Sequence, residues 1–500
     1  MYGGSGAGKS ASYVIPNALQ LLGSYVFTDP KGELYDKTAG YFKSKGYEIK
    51  VLNLVRPQNS DGYNPLHHIN NEIDVDIIAN TIVKGQGEGK SSDPFWDDMS
   101  EMLLKALIYY LKSVRPKEEQ SLASCSELVR TANSSGGDNL LTNLMNQLPM
   151  DHPARMYYKN IEMLPEKTFG SVLGTLQSKL GKFDSKEIAE VTSTDTIDFP
   201  EIGKKKTAVY VISSDTHTAY DFLLTIFFSQ MIQQLYDFAD VSGGALPVPT
   251  YFILDEFANI GQIPDFDKKI STSRSRKISF SVILQNLDQL EAVYKESYET
   301  IIGNCDTHLF LGSNSQKTVE YFSKALGEKT ITRDNVSVNK DREDWKQGKS
   351  ESDQVMGRAL MTADELRRMD NDLCIIYEKG IKPIKANKYY YFKYPEGRLV
   401  NKFKTDHNDV NIERGIWRKY NPYNPYEEGK EDSTGTAQSL EALDDLFKDE
   451  ETEKKPEEKK VDVEKKEEID AEEQKRQEEL VDIQKELEAK FDELFGSIED

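Results

Sequence analysis

A glycine-rich loop at the start of the chain constrains the fold more than any other segment. Residues 3–10 read Gly-Gly-Ser-Gly-Ala-Gly-Lys-Ser and match the pattern G-x-x-x-x-G-K-[ST] at every fixed position. Glycines let backbone N–H groups wrap around phosphate oxygens where a Cβ would obstruct the approach. Apolar residues then recur at helical spacing over 10–22, and Gly23 is predicted to end that helix. Together, the loop and the helix predict a phosphate-binding loop in an α/β fold.

The loop residues have distinct predicted roles. Lys9 supplies a positive charge for the β- and γ-phosphates of a nucleotide, and the Ser10 hydroxyl is a predicted Mg²⁺ ligand. The alternative interpretation is a chance Gly/Ser loop at a frayed N-terminus. The predicted nucleotide contacts are Gly3, Gly4, Ser5, Gly6, Ala7, Gly8, Lys9 and Ser10.

Short apolar runs alternate with helical patterns in two parts of the chain, which predicts βαβ units and a parallel sheet. The first part contains predicted strands at 24–28 and 49–54 with a helix at 34–45 between them. In the second part a helix is predicted at 219–238. The strands predicted there are 207–213, 250–255, 280–284, 308–311 and 373–378.

The region between these two parts has helical patterns and polar loops but no convincing strand. Asp93 is the predicted N-cap of a long helix, and Pro94 suits its first position. We therefore predict an all-α domain at 93–195, inserted between two parts of one nucleotide-binding domain at 1–92 and 196–425.

The charge is unevenly distributed. The formal net charge is −22, and residues 431–500 alone hold 27 acidic and 11 basic side chains. The other 430 residues hold 58 acidic and 52 basic side chains, so any nucleic-acid site must be local. We predict a disordered acidic tail at 426–500 that ends in a short amphipathic helix. Three widely spaced cysteines exclude a disulfide scaffold, and the chain has no apolar run long enough to span a membrane.

A strand that ends in two carboxylates is the second chemical signal. Tyr-Phe-Ile-Leu at 251–254 runs into Asp255 and Glu256. A buried parallel strand would place Asp255 beside the loop, where it can hold Mg²⁺ or its water, and Glu256 could polarise an attacking water. Taken alone, such an ending also fits a surface turn.

Further candidates lie near the next strand. Gln285 follows that strand and could sense a γ-phosphate or orient water, although it also fits an ordinary polar strand end. Arg274, Arg276 and Lys277 precede the strand, where an arginine could reach a neighbouring subunit's γ-phosphate or form only a solvated basic turn. The segment 29–33, Asp-Pro-Lys-Gly-Glu, either lies at the nucleotide edge of the sheet or forms a simple turn.

These motifs occur in an order that resembles TraG-type coupling proteins, the ATPases of conjugative type IV secretion. The resemblance covers about residues 1–395. It rests on the loop at 3–10, Phe-Thr-Asp-Pro-Lys-Gly-Glu-Leu at 27–34, Tyr-Asn-Pro-Leu at 63–66, Asp-Pro-Phe-Trp at 93–96, Leu-Asp-Glu-Phe at 254–257, Arg-Ser-Arg-Lys at 274–277, Leu-Gln at 284–285 and Thr-Ala-Asp-Glu-Leu-Arg at 362–367.

The resemblance implies a RecA-like P-loop NTPase sheet with an all-α insertion, assembled as a hexameric ring. It implies ATP and Mg²⁺ as ligands, with DNA, relaxase or relaxosome proteins and type IV secretion channel components as partners. In this family pattern Asp255 and Glu256 form the Walker B pair, Gln285 is the polar residue that follows it, and Arg276 is the best arginine-finger candidate. The implied location is the cytoplasmic face of the cell membrane.

The chain departs from the family pattern at its start. The family has transmembrane helices and a strand before the loop, and we expect both to be missing here, as in a chain that begins inside a longer protein. Two other functions remain open: a secretion ATPase that acts on proteins, and an inactive fragment that recruits partners. The acidic tail is either a solvated spacer or a docking segment. Lys204, Lys205, Lys206 and the region 268–277 are candidate DNA contacts, or only solvated surface charges.

Overall fold

A parallel β-sheet forms the centre of the protein. The computed structural model describes residues 1–85, 94–132, 139–214, 220–339 and 348–422. The predicted acidic tail and its terminal helix therefore lie outside the described residues, as does Asp93. The described strands are β1 (Tyr2–Gly3), β2 (Ser24–Thr28), β3 (Glu48–Asn53), β4 (Thr207–Ile212), β5 (Thr250–Leu254), β6 (Ile278–Val282), β7 (Thr307–Gly312), β8 (Glu328–Asn339), β9 (Gly348–Ala359), β10 (Leu373–Glu378) and β11 (Ile384–Asn387).

Helices surround this sheet. A wide π-type turn over Ser10–Val14 leads from the glycine-rich loop into the first of them. The described α-helices are α1 (Ile15–Ala18), α2 (Glu33–Ser44), α3 (Glu72–Lys84), α4 (Pro94–Val114), α5 (Leu122–Thr131), α6 (Leu140–Asn146), α7 (Pro153–Glu162), α8 (Glu166–Leu180), α9 (Lys186–Ser193), α10 (Phe199–Lys204), α11 (Asp221–Val241), α12 (Phe266–Thr272), α13 (Leu287–Tyr294), α14 (Tyr298–Gly303), α15 (Gln316–Leu326), α16 (Ala363–Arg367) and α17 (Pro395–Val400).

Five strands are hydrogen-bonded in the order β3-β4-β2-β5-β6, and all of these pairs are parallel. A second group follows in the order β1-β7-β10-β11, with β1 parallel to β7 and the last two pairs antiparallel. Tyr2 also forms a parallel bridge to Leu284, just after β6, and this bridge joins the two groups. The α/β fold and the parallel sheet predicted from the alternating pattern are confirmed.

The short strand β1 corrects the expectation that the loop lacks a preceding strand. Two residues are enough to form this strand because both of its sides are paired with neighbouring strands or segments. Leu284 N–H donates to Met1 O at 3.0 Å, and Gly3 N–H donates to Leu284 O at 3.0 Å. On the other side, Tyr2 and Gly3 are in register with Phe310 and Gly312 of β7.

The central strands are buried on both faces, which explains why their sequences are nearly continuously apolar. Successive side chains point to opposite faces. Tyr25 and Phe27 of β2 therefore pack with α1 and α2, whereas Val26 packs into a larger core on the other face. That larger core continues from β5 into α4 and α8, with Phe252, Leu107 and Leu176 as members.

The described residues between 94 and 193 contain only helices and short helical turns, as the pattern predicted. Helix α4 packs against α3, α5, α7 and α8. The Tyr-Asn-Pro-Leu segment at 63–66 links this region to helix α11: Asn64 Nδ2 donates to Gln120 O at 2.7 Å, and Tyr63 OH donates to Gln230 on α11 at 2.6 Å. The domain boundaries themselves stay predictions, since the first one falls outside the described residues.

Two predicted elements are displaced. The helix expected to reach Leu22 ends at Ala18, and Leu21 adopts a left-handed conformation with φ 54°. Gly23 is required for a different reason, because a Cβ there would lie 2.1 Å from Pro249 O. Strand β6 begins two residues before its predicted start. No helix in the described part of the chain is both long and apolar enough to cross a bilayer.

Candidate active site

The carboxyl edge of the parallel sheet carries an open cleft of about 580 Å³. This volume lies within the range of about 300–1,000 Å³ that is typical of small-molecule sites. The segments that follow β1, β2, β5 and β6 all contribute to it because parallel strands end at a common edge. The lining residues are Gly4, Ser5, Gly6, Ala7, Gly8, Lys9, Ser10, Ala11, Ile15, Asp29, Pro30, Lys31, Glu33, Leu34, Lys37, Asp255, Glu256, Gln285, Tyr391 and Phe392.

The glycine-rich loop is held between the sheet and the first helical turn. Its entry is fixed by Gly4 N–H, which donates to Gly312 O at 2.9 Å, and its exit by Ser12 N–H, which donates to Gly8 O at 2.8 Å. Gly6 and Gly8 have φ values of 75° and 77°, which L-residues with a side chain rarely adopt. The two glycines therefore allow the tight curvature of a phosphate-binding loop.

Lys9, Ser10 and Asp255 lie together at one end of the cleft. Asp255 is 8% exposed, its Oδ1 accepts a hydrogen bond from Glu256 N–H at 3.0 Å, and Lys9 and Ser10 both act to lower its pKa. Burial raises the pKa of Asp255, while the charge of Lys9 acts in the opposite direction. A second hydrogen bond, from Thr28 Oγ1 to Asp255 O at 2.6 Å, links the end of β5 to β2.

Glu256 and Gln285 contact each other directly. Gln285 Nε2 donates to Glu256 Oε1 at 3.1 Å, and Asn259 Nδ2 donates to Glu256 Oε2 at 3.1 Å. Glu256 adopts φ 53° and ψ 46°, a left-handed conformation that is costly for a residue with a side chain. Two neighbouring strands thus hold a carboxylate and an amide in one orientation at the same end of the cleft.

The residues at this end fit a phosphate group with its cation. A hydroxyl and a carboxylate, from Ser10 and Asp255, are the oxygen ligands that Mg²⁺ prefers. Lys9 and the N–H groups of the loop complement phosphate oxygens. The chemistry of these donors matches the predicted ligands, ATP and Mg²⁺.

The segment after β2 also lines the cleft. Asp29 is 2% exposed, and its Oδ2 accepts a hydrogen bond from Tyr35 N–H at 2.8 Å. Burial raises the pKa of Asp29 to about 6, against the lowering effect of its backbone hydrogen bonds. Of the two interpretations of residues 29–33, the structure favours the one at the sheet edge.

A group of lining residues from distant segments was not predicted. Lys37 extends from α2 and pairs with Glu33 at 3.2 Å. Tyr391 and Phe392 come from the segment after β11, which packs against the turn at 10–14. The exposed fraction of Phe392 is 47%, which is unusual for a large apolar side chain. The aromatic run at 389–392 was the one sequence signal that could have pointed to this segment.

Arg276 lies away from the cleft in the structure. It lies two residues before β6 and so occupies the amino edge of the sheet, opposite the cleft. Its guanidinium forms two hydrogen bonds to Asp240, at 2.9 and 3.0 Å, and stacks on Tyr236 at 4.8 Å. Arg274 is 94% exposed at its side chain. The structure does not bring Arg276 to the cleft of its own chain, and its arginine-finger role stays a prediction about a neighbouring subunit.

The three candidate DNA-contacting lysines are engaged within the chain. Lys204 pairs with Glu201 at 2.8 Å, and Lys205 pairs with Glu48 at 2.6 Å. Lys206 Nζ donates to Leu21 O at 2.9 Å. These contacts support the alternative of solvated surface charges more than a preformed DNA site.

Comparisons with known proteins support a single family. Residues 1–414 match the family described as type IV secretory system conjugative DNA transfer. The conjugal transfer protein TraG of Escherichia coli is 26% identical over 431 residues, which cover 79% of this chain and 67% of TraG. Protein VirD4 of Rhizobium radiobacter is 24% identical over 398 residues, and the match covers 77% of this chain but only 56% of VirD4.

Solved structures show the same fold. The bacterial conjugative coupling protein TrwBdeltaN70 superposes with a TM-score of 0.57 at 16% identity, over 77% of this chain and 83% of that protein. TrwB in complex with ADP and Mg²⁺ gives the same TM-score over 78% and 84% of the two chains. The expected RecA-like NTPase fold is therefore confirmed, and the chain belongs to the type IV secretion coupling proteins of conjugative DNA transfer.

Proposed function

We propose that this chain hydrolyses ATP at the carboxyl-edge cleft and uses the energy to drive DNA, or a relaxase–DNA substrate, into a type IV secretion channel. One observation carries the hydrolytic part of the proposal. Lys9, Ser10, Asp255, Glu256 and Gln285 come from three separate segments and meet in one cleft. Membership of the conjugative DNA transfer family supports the transport part.

Each residue has a defined task in this proposal. Lys9 and the loop N–H groups hold the β- and γ-phosphates, and Ser10 and Asp255 hold Mg²⁺, which neutralises charge on the phosphates. Glu256 accepts the proton of the water that attacks the γ-phosphorus, and the bond to the bridging oxygen of ADP breaks. Gln285 keeps the Glu256 carboxylate in place through their 3.1 Å hydrogen bond.

The related proteins support nucleotide use in general terms. TrwB has been solved with ADP and Mg²⁺, with a non-hydrolysable ATP analogue and with a non-hydrolysable GTP analogue. We extend this to ATP hydrolysis by the present chain. We also propose a hexameric ring at the cytoplasmic face of the membrane, in which Arg276 reaches the cleft of the next subunit.

The direct test is ATP turnover with and without DNA. DNA binding through phosphate contacts is salt-sensitive, so stimulation should fall between about 50 mM and about 200 mM salt. The Lys9→Ala variant should bind no nucleotide and show no turnover under either condition. Equal turnover with and without DNA would contradict the transport part of the proposal, and turnover by Lys9→Ala would contradict the hydrolytic part.

A further inference from the structure

A buried lysine that follows the last strand, β11, contacts the phosphate-binding loop. Lys388 follows β11 directly, and only 5% of its surface is exposed. Its ammonium donates to Ala7 O at 2.9 Å, to Leu311 O at 2.8 Å and to Asn371 Oδ1 at 3.3 Å. All three N–H donors of the ammonium are therefore matched by oxygen acceptors.

The contact with Ala7 determines the direction of a loop N–H group. The C=O and N–H of a trans peptide point in opposite directions because the unit is planar. When Lys388 holds the Ala7 carbonyl on the outer side of the loop, the N–H of Gly8 must point to the inner side. Inward N–H groups are the donors with which such loops bind phosphate.

Leu311 belongs to β7, whose last residue, Gly312, anchors the loop entry through Gly4 N–H at 2.9 Å. Lys388 thus bonds the loop and the adjacent strand at the same time. A protein hydrogen bond polarised by a charged donor is also stronger than a neutral one, by roughly twofold. The ammonium therefore fixes the loop more firmly than a neutral side chain could.

Tyr390 provides a second contact from the same segment. A Cβ placed on Gly8 would lie 3.3 Å from the Tyr390 ring, so the ring covers the outer side of the loop at that residue. Tyr390 OH also donates to Asp372 Oδ1 at 3.1 Å, and Lys388 N–H donates to Asp372 O at 2.7 Å. Asp372 immediately precedes β10, and the β10–β11 pair thereby fixes the position of both side chains.

We propose that Lys388 is a positioning residue for nucleotide phosphates: it touches no ligand but holds the Ala7–Gly8 peptide in the orientation that binds them. The inference rests on the proposed function, since it assigns Lys388 to the same cleft. It predicts a defect in phosphate binding more than in chemistry. The loop contacts the phosphates both before and during the reaction. Weaker contacts therefore raise KM and have little effect on kcat.

The test compares Lys388→Met with Lys112→Met. Lys112 is a matched control, because its Nζ also donates to a backbone carbonyl, Leu66 O at 3.1 Å, but in α4 and away from the cleft. The measurements are calorimetric titration with ADP and with inorganic tripolyphosphate, followed by steady-state ATP turnover. Tripolyphosphate isolates the loop because it carries no ribose or base.

For Lys388→Met we expect at least about tenfold weaker binding of both ligands, with a matching rise in KM and with kcat within about threefold of the wild type. Lys112→Met should retain the wild-type values. Wild-type affinity for tripolyphosphate in Lys388→Met would overturn the proposal, and so would an equal loss in Lys112→Met.

A Lys388→Gln variant keeps the test decisive if Lys388→Met does not fold. Its neutral amide keeps two N–H donors but carries no charge, and binding should weaken by a smaller factor of about three. If neither variant folds while Lys112→Met does, Lys388 serves the stability of the fold and the proposal is overturned. A wild type that binds tripolyphosphate but never hydrolyses ATP contradicts the proposed function, while the Lys388 comparison can still be measured.

Discussion

Charged side chains have different surroundings at the two edges of the parallel sheet: some face an open cleft, and others are paired with an opposite charge. At the carboxyl edge, Asp255 and Glu256 face an open cleft, and Gln285 of the same cleft donates a hydrogen bond to Glu256. At the amino edge, Arg276 is paired with Asp240 and Lys205 with Glu48. Charges that are neutralised locally have little capacity to bind a ligand. The position of these residues along the parallel strands therefore determines whether their charges face the cleft.

The carboxyl groups illustrate the same difference. Burial raises the pKa of Asp29, at the carboxyl edge, to about 6. For Glu48, at the amino edge, burial also raises the pKa, but hydrogen bonds from Lys205 and Lys50 outweigh it and the net pKa is lowered. At the carboxyl edge, burial of Asp29 therefore disfavours its charged form. At the amino edge, Lys205 and Lys50 stabilise the charged form of Glu48.

The largest expected effect follows from replacing Glu256, the carboxylate that we propose as the proton acceptor. Glu256→Gln keeps the hydrogen bond to Gln285 but removes the base, so kcat should fall by about 10²–10⁴-fold. Nucleotide affinity should change little because Lys9 and Ser10 are intact. Glu48→Gln is the control at the amino edge and should retain wild-type turnover. Comparable losses in the two variants would remove the functional distinction between the edges.

The second prediction concerns pH and the stability of the fold. Because the folded pKa of Asp29 is raised, the stability that its neutral form contributes is lost as the pH rises from about 4 to about 6. A shift of about two units corresponds to at most about 3 kcal/mol. Asp29→Asn should therefore be more stable than the wild type near about pH 7.5 and similar to it near about pH 3, as measured by thermal unfolding.

Glu48→Gln should show the opposite sign. Its lowered folded pKa contributes stability above the unfolded pKa, and this stability is lost as the pH falls. The variant should be less stable than the wild type near about pH 7.5, and the difference should shrink in acid. The same pH dependence of stability in Asp29→Asn and Glu48→Gln would show that the two edges do not differ in how they affect carboxyl groups.

A smaller effect is expected at Gln285, the amide that we propose orients Glu256. Gln285→Ala removes the 3.1 Å hydrogen bond to Glu256, and kcat should fall by about tenfold while KM stays unchanged. The control is Gln233→Ala on α11, whose side chain donates a hydrogen bond to the exposed Asp237. A rise in KM without a change in kcat would instead assign Gln285 to nucleotide binding.

The smallest effect is expected at the amino edge. Arg276→Ala removes a partly exposed ion pair and a stacked ring contact, and should lower the free energy of unfolding by about 1 kcal/mol. Arg274→Ala, at an exposed side chain, should leave stability unchanged. If Arg276→Ala, but not Arg274→Ala, abolishes turnover in the assembled ring, Arg276 is the arginine finger. The reverse result would transfer that role to Arg274.

Much of this arrangement could be predicted from local sequence. The loop at 3–10 and the strand that ends at Asp255 have distinctive patterns, and parallel pairing places the two together. Strand β1 could not be predicted, because two residues show no periodicity and depend on pairing with Leu284 and β7. The hairpin of β8 and β9 was also missed, since most of its residues are polar.

The remaining parts of the site depend on contacts between distant residues. Lys388 reaches Ala7 across 381 positions, and no spacing rule links the two. Similarly, Arg276 resembles a free basic residue in the sequence because Asp240 lies 36 positions away, on α11. Sequence patterns identify side chains with suitable chemistry, but the fold decides which of them face the cleft.

The most direct test of the central claim is calorimetric titration of the wild type and Lys9→Ala with ATP and Mg²⁺. We expect the wild type to bind one nucleotide per chain and Lys9→Ala to show no measurable binding under the same conditions. Equal binding by the two proteins would contradict the assignment of the carboxyl-edge cleft as the nucleotide site.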